Sequence, residues 1–284
     1  MLRFIIIFFI SFKAFTCPTK SGYVTGELVY VPVNALVKND MTQNRFNEIL
    51  SWFFSHYESV IKDQGGELKI ISDWEESMAN AFAQREDNTW IIRVLGGMSR
   101  HHLISEDAFI FVLCHEMGHH IGGAPKKREF FSTSWASNEG QADYYAALKC
   151  MRKLFKDQNN EHIVQSMSIE PLVRKECKES FTTVSERNLC IRISMASLSH
   201  AKFLNRRDEI HSPVSFSTPD PKVIRRTSHN HPSPQCRLDT GFQGAICDVD
   251  QSVGVSQSEA FIGTCHQFNG DLKGLRPSCW YSAD

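Results

Sequence analysis

The chain has 284 residues, 42% of them hydrophobic and 22% charged, which excludes a disordered or collagen-like polymer. Lys and Arg number 31 against 32 Asp and Glu; at a net charge of −1 no global positive field draws in DNA or RNA, so no nucleic-acid partner is expected. Nine cysteines are too few for a disulfide mini-scaffold and many for a cytosolic enzyme.

Arg3 is followed by an apolar run over residues 4–12, far short of the roughly 20 residues that span a bilayer. A basic start and a short apolar stretch predict a cleaved signal peptide at 1–16, and hence an exported protein that is periplasmic, secreted or held at the envelope. Cys17 follows at once, so a lipid anchor there is an alternative outcome of processing. Removal of 1–16 takes Arg3 and Lys13 with it and leaves a net charge of −3. No later run is apolar enough to be a membrane helix, so the mature chain is expected to have no transmembrane helix.

Residues 41–63 carry Phe46, Ile49, Leu50, Phe53, Phe54, Tyr57, Val60 and Ile61 at helical spacing, with Asp40 or Thr42 as the cap. Residues 68–71 and 90–94 read as strands, and 80–83 as a third extended piece. Ser105 before Glu106 and Asp107 starts a second helix, which Gly122 and Gly123 stop. A third helix is predicted from Ser137 to about Phe155. A fourth opens on the capping box of Thr183 and Glu186 and runs to about Phe203. From about residue 208 Pro, Ser, His and Gly become common, and four cysteines fall between 236 and 279. The prediction is an α+β fold, mostly helical, with a small antiparallel sheet and a loop-rich C-terminal region fastened by disulfides. The boundaries are 1–16 for the signal, 17–240 for the main domain and 241–284 for a cysteine-rich extension packed on it.

His115-Glu116-Met117-Gly118-His119 is an HExxH sequence inside the second helix. Positions i and i+4 share a helix face, so both imidazoles can meet one zinc ion, while Glu116 projects beside them toward an attacking water. A catalytic zinc needs a third protein ligand. Glu139 is the candidate, and Asp143, at i+4 from it, can accept the free ring N–H of a ligand histidine. An acid-enriched helix start is the plainer explanation of both carboxylates.

Taken with Asn80, Ala81, Phe82 and Ala83, with Gly96-Gly97-Met98, with Ser105-Glu106-Asp107, and with His231-Pro232 six residues ahead of Arg237, the HExxH and the ExxAD at 139–143 resemble the zinc peptidases of the HtpX and CAAX-prenyl-protease type, a gluzincin family. The matching residues span roughly 45–240. The resemblance implies a zincin-like fold with its small sheet beside the active-site helix. It implies one zinc ion per chain on His115, His119 and Glu139, with Glu116 as the catalytic base. It places 80–83 beside the cleft, where a substrate peptide adds as a strand. It suggests His231 as an oxyanion stabiliser and Arg237 as a cation organising the site; a Pro-rich surface loop and an ordinary salt-bridging arginine are the alternatives. Tyr144 and Tyr145 are further candidate oxyanion donors. Only 19 residues separate His119 from Glu139, where membrane members of the family carry long inserts, so this would be a soluble exported member.

Cys114 beside the first ligand reads as a packed free thiol, or as a disulfide partner for a neighbouring helix. Cys236 with Cys247 and Cys265 with Cys279 are plausible local pairs, though spacing does not determine connectivity. The leading function is a zinc-dependent endopeptidase acting on a peptide or protein substrate. The alternatives are a catalytically silent, zinc-binding pseudopeptidase that binds a partner, and a structural domain whose HExxH is accidental.

Overall fold

The computed structural model describes residues 22–24, 27–128 and 133–283; the expected signal segment and Cys17, with its possible anchor, lie outside them. Thr42 opens the first helix, α1 (Gln43–Asp63), because its hydroxyl accepts the Arg45 N–H at 3.1 Å. Of the expected stripe, Phe46, Ile49, Leu50, Phe53, Tyr57 and Ile61 are buried while Phe54 and Val60, at its margins, are half-buried, and α1 packs on β1 (Glu67–Asp73). Strands β2 (Ala81–Glu86) and β3 (Thr89–Leu95) form an antiparallel hairpin in which Ala81 pairs with Val94. β1 joins the other edge of β3 in parallel, so the three-stranded sheet is mixed, in the order β1-β3-β2. A short helix, α2 (Gly96–Arg100), leads to the central helix α3 (Glu106–Ile121).

Ser105 caps α3 by accepting the Ala108 N–H. Every residue from Ala108 to Ile121 is buried, because the helix has the sheet on one side and other helices on the rest. A second, antiparallel sheet follows, β4 (Lys126–Arg128) with β5 (Thr133–Ser137). The third predicted helix is built in pieces: α4 (Glu139–Tyr145), a π turn at Ala146–Cys150, and α5 (Met151–Phe155). Its cap is Asn138, whose side chain accepts the Gln141 N–H at 2.9 Å, one residue beyond the expected Ser137. Short helices α6 (Asn160–Gln165) and α7 (Pro171–Ser180) precede α8 (Val184–Leu204), where the predicted capping box is complete.

The C-terminal region departs from expectation. Residues 234–246 are not loop but a buried helix, α9 (Pro234–Ile246), with Ser233 as cap and Pro234 in its first turn. The expected boundary at 240/241 cuts this helix, which packs on α8 and α4 within the main core. Beyond it the chain is loop-rich and fastened, as expected. Four disulfides form among the described residues: Cys114–Cys150, Cys177–Cys190, Cys236–Cys279 and Cys247–Cys265. The last two replace the local pairs expected from proximity in sequence, because α9 separates Cys236 from Cys247 at opposite ends of a rigid rod. Cys114 is not a free thiol, and ties α3 to the end of the π turn.

Replacing Cys114 and Cys150 together by alanine is expected to lower the unfolding free energy by about 2–4 kcal/mol, since the closed loop spans 36 residues. The check is the urea midpoint; an unchanged midpoint contradicts it.

Candidate metal centre

The α3 helix presents His115 and His119 one turn apart, with ring centroids 4.7 Å from each other. Both rings are anchored through Nδ1, which aims Nε2 at a common point. His115 Nδ1–H donates to Asp143 Oδ1 at 2.8 Å, and His119 Nδ1–H donates to the Ser137 carbonyl at 2.8 Å. Such anchoring selects the tautomer whose Nε2 carries the free lone pair.

Glu139 arrives from the first turn of α4. Its Oε2 lies 3.3 Å from His115 Nε2, and its Oε1 lies 3.7 Å from His119 Nε2. The close approach of α4 to α3 depends on Gly118, the fourth residue of the HExxH: a Cβ there would stand 2.8 Å from the Ala142 carbonyl oxygen. One ligand atom from each of His115, His119 and Glu139 lies within 4.8 Å of the others, and all three residues are buried. His115 Nε2, Glu139 Oε2 and Glu116 Oε1 are buried atoms without a hydrogen-bond partner. Buried polar atoms are nearly always satisfied. Two of these orphans, on His115 and Glu139, belong to the His/His/Glu donor set and the third, on Glu116, lies beside it; the set therefore fits a metal ion, and nitrogen and carboxylate donors suit zinc.

The surrounding charges support the ligands. Arg237, on α9, donates from Nε to Asp143 Oδ2 and from Nη2 to Asp143 Oδ1, both at 2.7 Å. Burial alone would raise the Asp143 carboxyl, but Arg237 and His115 hold it well below the usual carboxylate range. Burial depresses His115, yet the Asp143 carboxylate outweighs it and lifts the imidazole to about 9, so a metal must displace a proton to bind there. Burial pushes the Glu116 carboxyl up to about 7, with the neighbouring Glu139 charge adding to it.

His231 is in the site, not in a surface loop. Its Nε2 lies 3.2 Å from Glu139 Oε2 and 3.2 Å from the carbonyl oxygen of Gly22. Tyr144 and Tyr145 do not serve it as oxyanion donors: the Tyr144 hydroxyl donates to the Gly274 carbonyl, and Tyr145 is buried in the same core cluster as Tyr57. Of the 80–83 segment, Ala81 and Ala83 are buried and Phe82 is half-buried, while Asn80 lies just ahead of β2 and uses its side chain on Val24 and Ala81.

Two groups escaped the sequence reading. Lys127 on β4 donates to Glu139 Oε1 at 2.6 Å, compensating the buried carboxylate; nothing in Lys-Lys-Arg marks it. Tyr23 sets its ring edge-on to His115, with centroids 4.8 Å apart, and the Arg237 guanidinium lies 4.6 Å from its centroid. It belongs to no motif. Asp220, Cys236 and Cys279 also cluster, but the two sulfurs are bonded to each other and offer no thiolate. No protein-family model, curated protein or solved structure matches the chain.

Proposed function

We propose that the protein is a zinc-dependent endopeptidase of the gluzincin type, exported and soluble, with a zincin-like core. The observation that carries this reading is the convergence of His115, His119 and Glu139 on one buried point with Glu116 unpartnered beside them. A purely structural metal site has no use for that fourth side chain. Four disulfides suit an oxidising compartment, and no helix among the described residues is long and apolar enough to cross a membrane.

Zinc held by these residues would supply Lewis acidity toward the scissile carbonyl and the attacking water. Glu116 takes the proton from that water and returns it to the leaving nitrogen; burial raises its carboxyl above the usual carboxylate range, which favours the return of the proton. His231 donates to the carbonyl oxygen of the bound peptide as it gains charge. Asp143, clamped by Arg237, keeps the His115 ring in place. Asn80 and Ala81 offer backbone and amide groups to an extended peptide, the added strand of β-augmentation.

The test is zinc content together with casein hydrolysis by the purified mature protein. About one zinc per chain and hydrolysis blocked by a chelator are expected. Glu139→Ala should bind zinc at least about tenfold more weakly. A zinc-loaded protein that leaves casein and a peptide library intact would favour the silent, partner-binding alternative.

A further inference from the structure

Residues 22–24 of the chain lie where the peptidase reading puts a substrate. The Gly22 carbonyl oxygen sits 3.2 Å from His231 Nε2, the proposed oxyanion donor. The next residue's N–H, that of Tyr23, donates to the Ala81 carbonyl at 2.9 Å. Val24 N–H donates to Asn80 Oδ1 at 2.9 Å, and Asn80 Nδ2 reaches back to the Val24 carbonyl at 3.4 Å. Residues 29–31 lie antiparallel to 77–79, with Ala79 N–H on the Val29 carbonyl and Val31 N–H on the Ser77 carbonyl, both at 2.7 Å. The segment thus lies along the residues assigned to substrate, bent at Tyr23 and Val24, and its Gly22–Tyr23 bond has its carbonyl oxygen at the oxyanion donor and its N–H on the Ala81 carbonyl.

Side chains agree with that register. Tyr23 fills a buried slot against His115, His200 and Arg237. Its hydroxyl and both His200 ring nitrogens lack hydrogen-bond partners, so the slot is polar at its base. Gly22 has φ +61°, and a Cβ on it would come 2.4 Å from Phe82 Cε1, so a residue without a side chain fits at this place. A core tyrosine needs none of the contacts that its neighbours make with His231 and Asn80.

We propose that the Gly22–Tyr23 peptide bond is a self-cleavage site, making the protein's own N-terminal segment its first substrate and an aromatic side chain its preference just after the cut. The inference rests on the peptidase reading. In the step, water oxygen bonds to the Gly22 carbonyl carbon and the bond from that carbon to the Tyr23 nitrogen breaks. One water hydrogen stays with the new Gly22 carboxyl group and the other passes through Glu116 to the Tyr23 nitrogen. The products are a carboxyl terminus at Gly22 and a free amine at Tyr23.

The experiment uses full-length wild type and Glu116→Gln, both exported and incubated with zinc, and reads intact mass and N-terminal sequence. Wild type is expected to begin at Tyr23, while the variant keeps the residues before it. An uncut wild type, or both proteins beginning at Tyr23, overturns the proposal. Hydrogen exchange on Glu116→Gln reads the pose without turnover: the Tyr23 and Val24 amides should exchange at least about a hundredfold more slowly than in an unstructured peptide. Free exchange there also overturns it. Casein hydrolysis is scored separately. Casein cut with the N-terminus intact removes only self-cleavage; an N-terminus cut with casein untouched removes only the general endopeptidase reading.

Discussion

Glu116→Gln is expected to keep its zinc and to lose hydrolysis by about 10²–10⁴-fold, the usual contribution of a positioned acid–base group. Glutamine preserves the shape of a side chain that is 1% exposed, so packing around α3 should persist. It removes only the ability to take a proton. Glu116 is not one of the grouped metal donors, and its Oε1 has no partner to lose. The pH profile gives a second readout. A base must be ionised to act, so kcat/KM rises with pH through its pKa. Burial sets that pKa at about 7, and the positive charge of bound zinc draws it lower, so the acid limb should fall below 7. Residual activity of the variant should lack this limb. Zinc analysis and a peptide assay across pH 5–8 make the check; a zinc-loaded variant at near wild-type rate would remove Glu116 from the mechanism.

Arg237→Leu should be the most destabilising single change in the centre, by about 3–5 kcal/mol, because it strands the Asp143 carboxylate in a dry interior. Asp143 is fully buried, and Arg237 supplies two of its hydrogen bonds. The double variant Arg237→Leu/Asp143→Leu removes both charges and should recover most of that loss, since a buried pair replaced by apolar groups is often neutral. Metal affinity should fall in the double variant, where His115 Nδ1 has lost its Asp143 acceptor, a loss that costs about 10–100-fold in binding. Denaturation with a chelator present isolates the stability effect from metal linkage. If the double variant is as unstable as the single, the clamp is a packing element; if it binds zinc as wild type, the clamp does not orient His115.

Most of the centre was legible because local rules place it. Ser105, the HExxH and the Gly pair define α3 without tertiary information, and the i, i+4 spacing of Glu139 and Asp143 holds because Asn138 caps that helix. α9 was not legible, although Ser233-Pro234 is a sound start. Its Gly241 and Gly244 read as loop residues, yet each is where another backbone or side chain comes close: Gly241 meets Ser197, and Gly244 meets the Tyr144 carbonyl. Packing overrides propensity there. Losing α9 also lost the disulfide pairing and the geometry that aims Arg237 at Asp143. His231 and Tyr23 reach the site across long stretches of chain, which no periodicity encodes.

The Cys114–Cys150 bond closes a covalent ring that contains His115, Glu116, His119, Glu139 and Asp143. The ligand set is therefore a macrocycle before it is a folded site. With the ring oxidised, the denatured chain still holds its imidazoles and carboxylate at a high mutual effective concentration. It should retain some hold on zinc, and a ligand that also binds the unfolded state stabilises the fold by less than its native affinity implies. Zinc should then raise the melting temperature less when this ring is closed than when it is cut.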